Sequence, residues 1–130
     1  YYTNLGSHTF STAVSVSGAI TATGDITAFY SSDRRLKDNI TAIEKPLEKL
    51  SKLSGYFFDW NSKSDYKGND IGLIAQEVES VIPTAVVDRD TGFKAVRYEK
   101  VIPLLVSGVN SVADKVERLE KELAELKKKL

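Results

Sequence analysis

The residues best suited to chemistry are a serine and a lysine that lie five positions apart, Ser32 and Lys37. A lysine that has lost its proton can activate a serine hydroxyl as a nucleophile without any histidine. Lys37 has to be uncharged for this role, which requires burial away from carboxylates, and the carboxylate of Asp33 opposes it where it lies close. The spacing therefore predicts a candidate self-cleaving dyad.

The same stretch has a structural interpretation that involves no reaction. A Ser-Asp pair ahead of a short amphipathic segment is a common helix N-cap, and the arginines and Lys37 that follow are then solvated charges. On a regular helix, a residue five positions later is rotated well away from the serine. Contact between the two side chains therefore requires Ser32 to lie in extended or turn backbone. At this point both interpretations remain open.

Composition excludes several classes of function. The chain has 18 basic and 18 acidic residues, so it offers no global basic field for nucleic acid or an anionic membrane. It has no cysteine for disulfides or thiolate ligands, and its single histidine, His8, cannot build a zinc site alone. No apolar run approaches the ~20 residues that span a bilayer. We expect no cofactor, no metal, no nucleic acid and no membrane partner.

Residues 11–28 carry a short repeat. They fall into three hexads with an aliphatic residue at the same position of each, namely Val14, Ile20 and Ile26. Such a period is typical of a solenoid or β-helix, in which Gly18 and Gly24 can supply turns at positive φ. Three hexads bury too little apolar surface to be stable alone, so they need further repeats or other copies of the chain. A flexible Ser/Thr/Gly linker is the alternative.

The region from Arg35 to residue 100 carries the patterns of a small mixed α/β domain. Leucines at three-residue spacing after Pro46 predict a short helix that ends near Gly55. The later segments predict strands over 56–60 and 71–74, a helix over 76–81, and a hairpin whose strands, 86–87 and 93–98, flank a turn at 90–92. We expect the aromatic residues of this region to fill its core.

The last thirty residues follow a heptad pattern. One heptad position holds Ile102, Val109, Val116, Leu123 and Leu130, and the other holds Leu105, Val112, Leu119 and Leu126. This predicts a long helix that self-associates as a coiled coil, and Lys115 with Glu120 and Glu122 with Lys127 favour parallel chains in register. The heptad residues fix the number of strands only weakly and lean toward two. The alternative is a single helix packed on its own domain.

These features together resemble a known family. The string Ser32–Ile40, the aromatic strand 56–60, the segment 71–78 and the heptad C-terminus resemble the endosialidase-type C-terminal intramolecular chaperone domain, which is also classed as a self-cleaving peptidase. The resemblance covers roughly residues 31–130. It implies an α+β fold in which the end of a triple β-helix precedes a small mixed α/β domain and a long helix that forms a homotrimeric coiled coil.

The resemblance also implies the roles of individual residues. It places the nucleophile at Ser32 and its partner lysine at Lys37, while Ser31 is not the matching position. Ser32 would attack the carbonyl carbon of Ser31 to form an ester by N-to-O acyl shift, which water then hydrolyses. The implied scissile bond is Ser31–Ser32, with Ser32–Asp33 as the alternative. We therefore expect a stalk at residues 1–31 and a chaperone domain at 32–130, divided into 32–100 and 101–130.

Members of this family lie at the C-terminus of phage tail spikes, tail fibres and neck appendages. The resemblance therefore implies an intramolecular chaperone that trimerises, templates folding of its own upstream β-helix and then releases itself. Its partners would be further copies of the chain and that β-helix. Assembly would take place in the host cytoplasm, and the chaperone part would be absent from the mature virion. The alternative is a non-enzymatic trimerisation module that stays attached.

Overall fold

The structure, a computed structural model, describes residues 6–130. The chain divides into two units, Tyr1–Ile40 and Thr41–Leu130. The first five residues of the predicted stalk lie outside the described part. The candidate dyad lies entirely in the first unit, and the predicted mixed domain lies almost entirely in the second.

The N-terminal unit follows the hexad period without forming strands. Among residues 6–40 there is no strand, but the backbone bends at 11–12, 17–18 and 23–24, which is a repeat of six. Gly18 and Gly24 lie at these bends, yet neither has a positive φ, so this part of the prediction is wrong. A gentle bend between extended segments needs no left-handed residue. The triple β-helix stays a prediction, since its strands would pair between chains.

The C-terminal unit contains the predicted elements in the predicted order. The helices are α1 (Pro46–Ser51), α2 (Ala75–Val81) and α3 (Ile102–Lys128), and the strands are β1 (Tyr56–Asp59), β2 (Asn69–Gly72), β3 (Val86–Asp88) and β4 (Lys94–Val96). Short 3-10 turns at Pro83–Ala85 and Tyr98–Lys100 complete the unit. Helix α1 ends before Gly55, at Ser51, and the other boundaries differ from the predicted ones by up to a few residues.

The strands form two separate antiparallel hairpins. In the first, β1 pairs with β2 so that Tyr56 lies opposite Gly72. In the second, β3 pairs with β4 so that Val86 lies opposite Val96, which confirms the predicted hairpin. Its turn contains Gly92 at φ 84°, a left-handed conformation that glycine adopts without steric cost.

The core is aliphatic and small. Val78 of α2, Leu104 of α3 and Ala85 are fully buried, and Val101 is nearly so. The prediction that aromatic residues fill the core is wrong, since Phe57 is 79% exposed. Phe58 and Trp60 do share a face, with ring centroids 4.9 Å apart and edge-to-face packing. A two-stranded sheet can bury aromatic side chains only where another element covers it, and the buried cluster forms instead around α2 and the second hairpin.

A half-buried lysine ties α2 to the second hairpin. The ammonium of Lys94 donates to Glu79 of α2 and to Asp88 of β3, both at 2.8 Å. These two carboxylates raise the pKa of Lys94 above its ordinary value. The hairpin is thereby held against the helix by charge as well as by the aliphatic cluster.

Helix α3 presents different faces to its own domain and to solvent. At its start, Leu104 is buried and Gly108 lies against Leu50 of α1, where an added Cβ would overlap the Leu50 side chain. The heptad residues Leu105 and Val109 each follow one position later, which turns them about 100° around the helix axis. All nine heptad residues are between 47% and 99% exposed. The first turns therefore pack on the domain while the heptad face remains uncovered.

The contact between α1 and α3 gives a stability prediction. Gly108→Val should lower the free energy of unfolding by about 1–3 kcal/mol, because the added side chain overpacks against Leu50. Asn110→Val, at an exposed position of the same helix, should change it by less than about 0.5 kcal/mol. Urea unfolding at one fixed protein concentration measures both. Equal stability of the two variants would contradict the close packing at Gly108.

Candidate functional site

A single capped turn shapes the segment that holds the candidate dyad. Arg34–Leu36 form one turn of 3-10 helix, with Asp33 as its N-cap in extended conformation at φ −64° and ψ 132°. The backbone N–H of Leu36 donates to Asp33 O, and that of Lys37 donates to Arg34 O, both at 3.1 Å. Lys37 then returns to extended backbone at φ −125° and ψ 131°. The turn thus separates the extended residues that precede it from Lys37.

This geometry brings the predicted pair together. The Lys37 Nζ lies 2.8 Å from the Ser32 Oγ. In the charged form, the ammonium donates to the hydroxyl oxygen. In the uncharged form, the amine can accept the hydroxyl proton over the same distance, which is within the reach of a general base. Ser32 lies outside the helical turn, as the spacing argument requires.

The carboxylate of Asp33 is held by Arg35. Its Oδ1 accepts from the backbone N–H of Arg35 at 2.8 Å and from Nε at 3.1 Å, while its Oδ2 accepts from Nη2 at 2.9 Å. The side-chain hydrogen bond from Arg35, followed by the backbone one, lowers the pKa of Asp33 below its ordinary value. Sequence reasoning treated Arg35 as a solvated charge and missed this role. The signal was present, because a capping aspartate accepts from N–H groups two or three residues later.

The dyad is exposed in the single chain. Ser31, Ser32 and Lys37 all lie at the surface, as does every other residue from 6 to 40. The burial that the sequence argument requires for Lys37 is therefore not provided by one copy of the chain. The arrangement supplies proximity and a suitable hydrogen bond, which are two of the conditions for nucleophilic attack by a serine.

Other site types find little support in the described residues. Between residues 6 and 130, no cluster of three or more His, Asp and Glu side chains could hold a metal ion. Within the same range, no helix is both long enough and apolar enough to cross a membrane. An open groove in the C-terminal unit is lined by 41–44, 81–84 and Lys49, and its ionisable side chains are Glu44 and Lys49. It contains no serine, and thus no second Ser-Lys pair.

Comparison with known families identifies the segment that begins at the dyad. Residues 32–87 match the family model described as chaperone of endosialidase, whose name also classes it as a peptidase. This stretch belongs to the chaperone-of-endosialidase family. The assignment confirms the resemblance carried by the Ser32–Ile40 string and by the later motifs. The match starts at Ser32 itself and extends through α1, both strands of the first hairpin and α2.

Several curated proteins are similar over most of the chain. The long tail fiber protein Gp37 of Salmonella phage S16 is 37% identical over 106 residues, which is 75% of this chain and 14% of that protein. The Gp37 proteins of Enterobacteria phages K3 and T2 are each 34% identical over 101 residues, which is 71% of this chain. The chain spans only 8% and 7% of those two relatives.

The ion pair between Asp33 and Arg35, called the clamp below, predicts a lowered pKa for the Asp33 carboxyl. The carboxyl of Asp33 should titrate with a midpoint below pH 3.8, its ordinary value, because the guanidinium stabilises the charged form. Because the folded-state pKa is lowered, the cap stabilises the turn fully at pH values above the unfolded-state pKa. This stabilisation is lost as the pH falls through the folded-state pKa. The pH dependence of the Arg35 amide signal in NMR spectra reports this midpoint.

Two variants make that titration specific. Arg35→Gln should raise the midpoint toward pH 3.8, whereas Arg34→Gln, which removes the same charge one position earlier, should leave it low. A wild-type midpoint at or above pH 3.8 would show that the ion pair does not form in solution.

Proposed function

We propose that this chain is the intramolecular chaperone of a phage tail fibre, which trimerises, templates folding of the β-helix upstream of it and then releases itself by cutting at Ser32. The observation that carries the proposal is the 2.8 Å contact between Lys37 Nζ and Ser32 Oγ at the first residue of the family match. The family description supports the chaperone role, and the Gp37 relatives, named long tail fiber proteins, support the setting.

The proposed cleavage is a single turnover in which the chain is its own substrate. Uncharged Lys37 accepts the proton of the Ser32 hydroxyl, and Oγ attacks the carbonyl carbon of Ser31. The C–N bond between Ser31 and Ser32 breaks, an ester forms to Ser32 Oγ, and the Lys37 ammonium returns the proton to the departing nitrogen. Water then hydrolyses the ester, which leaves a carboxylate on Ser31 and a free amine on Ser32. The reaction needs no cofactor.

The proposed chaperone action follows from the difficulty of folding a β-helix made of several chains. Such pairing is non-local and slow, because loop closure and register have to be solved before contacts compensate. A parallel trimer of α3 brings three chains together in register at high effective concentration. The exposed heptad face supports this step. Cleavage then removes the link to the element that aligned the chains, so the folded fibre is kinetically trapped.

The location of the protein follows from the same sequence of events. The partners are two further copies of this chain and the β-helix of its own polypeptide, without nucleic acid or membrane. Assembly takes place in the host cytoplasm on a precursor of the virion fibre. The stalk at 1–31 stays with the fibre, and the domain at 32–130 leaves, so the mature virion lacks it.

Two observations favour a second candidate, a trimerisation module that stays attached. Ser32 and Lys37 are exposed in the single chain, and Asp33 with Arg35 forms an ordinary capped turn. In this alternative the hydrogen bond from Lys37 to Ser32 only stabilises that turn. The heptad helix would still bring three chains together, but no cleavage would follow.

Intact mass spectrometry of the fibre protein with its upstream β-helix distinguishes the two candidates. The wild-type chain should split before Ser32, and Ser32→Ala and Lys37→Ala should each reduce cleavage by about 10²-fold or more, because nucleophile or base is lost. Ser31→Ala is the matched control and should still split. The product mass also tells a cut at Ser31–Ser32 from one at Ser32–Asp33.

Two outcomes of this experiment would contradict the proposed cleavage. If Ser32→Ala splits as fast as the wild type, the dyad is wrong. If the wild-type chain assembles normally and stays whole, the attached module is the better account.

The coiled coil has its own test on the part of α3 that extends beyond the domain. Leu123→Lys places a charge at a heptad position and should weaken the trimer by at least about tenfold in dissociation constant, because the charge is buried on association. Ala124→Lys adds the same charge at the next, non-heptad position and should leave the trimer intact. Sedimentation equilibrium measures the association. The same mass for both variants at every concentration would argue against the heptad interface.

A further inference from the structure

The clamp between Asp33 and Arg35 has a consequence for the neighbouring dyad. Asp33 lies next to Ser32 in the chain and caps the turn that leads to Lys37. A carboxylate near a lysine favours the charged ammonium, which cannot accept a proton. In this structure, however, both oxygens of Asp33 are occupied by Arg35, and among the residues it describes no carboxylate is paired with Lys37.

The geometry explains why arginine suits this position. A guanidinium presents parallel N–H donors that match the two oxygens of a carboxylate, so it fixes the orientation of the group as well as neutralising it. Arg35 uses Nε and Nη2 in this way and also donates its own backbone N–H to the same carboxylate. The Asp33 side chain is thus held over the start of the turn.

We propose that Arg35 is a positioning residue for the Ser32–Lys37 pair, which holds the Asp33 carboxylate in a two-point ion pair and so prevents it from stabilising the charged form of Lys37. This inference rests on the proposed cleavage and deepens it, since it names the residue that sets the pH range of the reaction. The other charged residues within four positions of Lys37 in the chain are Arg34 and Asp38. Asp38 is left unchanged in every variant below, so its contribution is constant.

The test measures the rate of self-cleavage against pH in the full fibre protein. In Arg35→Gln, Asp33 is left as an unpaired anion, so the pH of half-maximal rate should rise, while the rate at high pH stays close to that of the wild type. The control, Arg34→Gln, loses one positive charge at the neighbouring position and should shift the profile much less. Arg35→Lys, which keeps the charge without the fork, should fall between Arg35→Gln and the wild type.

A double variant separates charge from structure. Asp33→Asn combined with Arg35→Gln keeps a good capping side chain but removes the anion, so the pH profile should return to that of the wild type. If Arg35 only supports the shape of the turn, the double variant lacks the same support. Its rate would then stay low at every pH, as would the rate of Arg35→Gln alone.

The outcomes distinguish this inference from the proposed function. If cleavage requires Ser32 and Lys37 but Arg35→Gln has the wild-type pH profile, the clamp has no such role and the dyad stands. If Arg35→Gln slows cleavage by one factor at all pH values and the double variant does not restore it, Arg35 is structural only. If the wild type does not cleave, or Ser32→Ala cleaves as fast, the proposed function fails and the inference fails with it.

Discussion

This chain carries more apolar surface than a single copy can bury. The hydrophobic residues that are buried within the part the structure describes are Val78, Ala85, Val101 and Leu104. All nine heptad residues, eight of which lie in α3, and the aliphatic residues of the three hexads remain exposed. A contiguous exposed apolar surface usually marks an interaction site. The folded unit is therefore small, and the longest regular features of the sequence depend on association for their burial.

Helix α3 packs on its own domain and also presents the heptad stripe for association. Its first turns are fixed to the domain through Leu104 and through Gly108, whose missing side chain admits Leu50 of α1. The heptad stripe is rotated away from these contacts, and beyond the domain the helix is stabilised along its own surface by pairs such as Glu117 with Lys121 at 3.4 Å. Association along the stripe can then proceed without disturbing the packing of the domain.

The sequence predicted the elements of the C-terminal unit well, because each has a strong local signal. Pro46 begins α1, the turn at Gly92 separates two short strands, and the three-four spacing defines α3. The predicted composition of the core was wrong, because the pattern of an amphipathic strand does not reveal whether another element covers its faces. Phe57 lies on the opposite face of β1 from its neighbours Tyr56 and Phe58, as a strand requires, and its side chain is exposed. Burial depends on tertiary packing, and in this chain the buried residues cluster around α2 and the second hairpin.

The catalytic role of Ser32 and Lys37 stays a prediction, while the structure adds the contact between their side chains and the charges around it. For the two side chains to meet, spacing alone required Ser32 to lie outside a helix, and the structure has a single 3-10 turn between Ser32 and Lys37. The capping position of Asp33 indicates a backbone donor at Arg35, but spacing could not show that the Arg35 guanidinium also folds back onto the same carboxylate. Because Arg35 holds that carboxylate, Asp33, whose charge would oppose the proposed chemistry, instead stabilises the turn that brings Ser32 and Lys37 together.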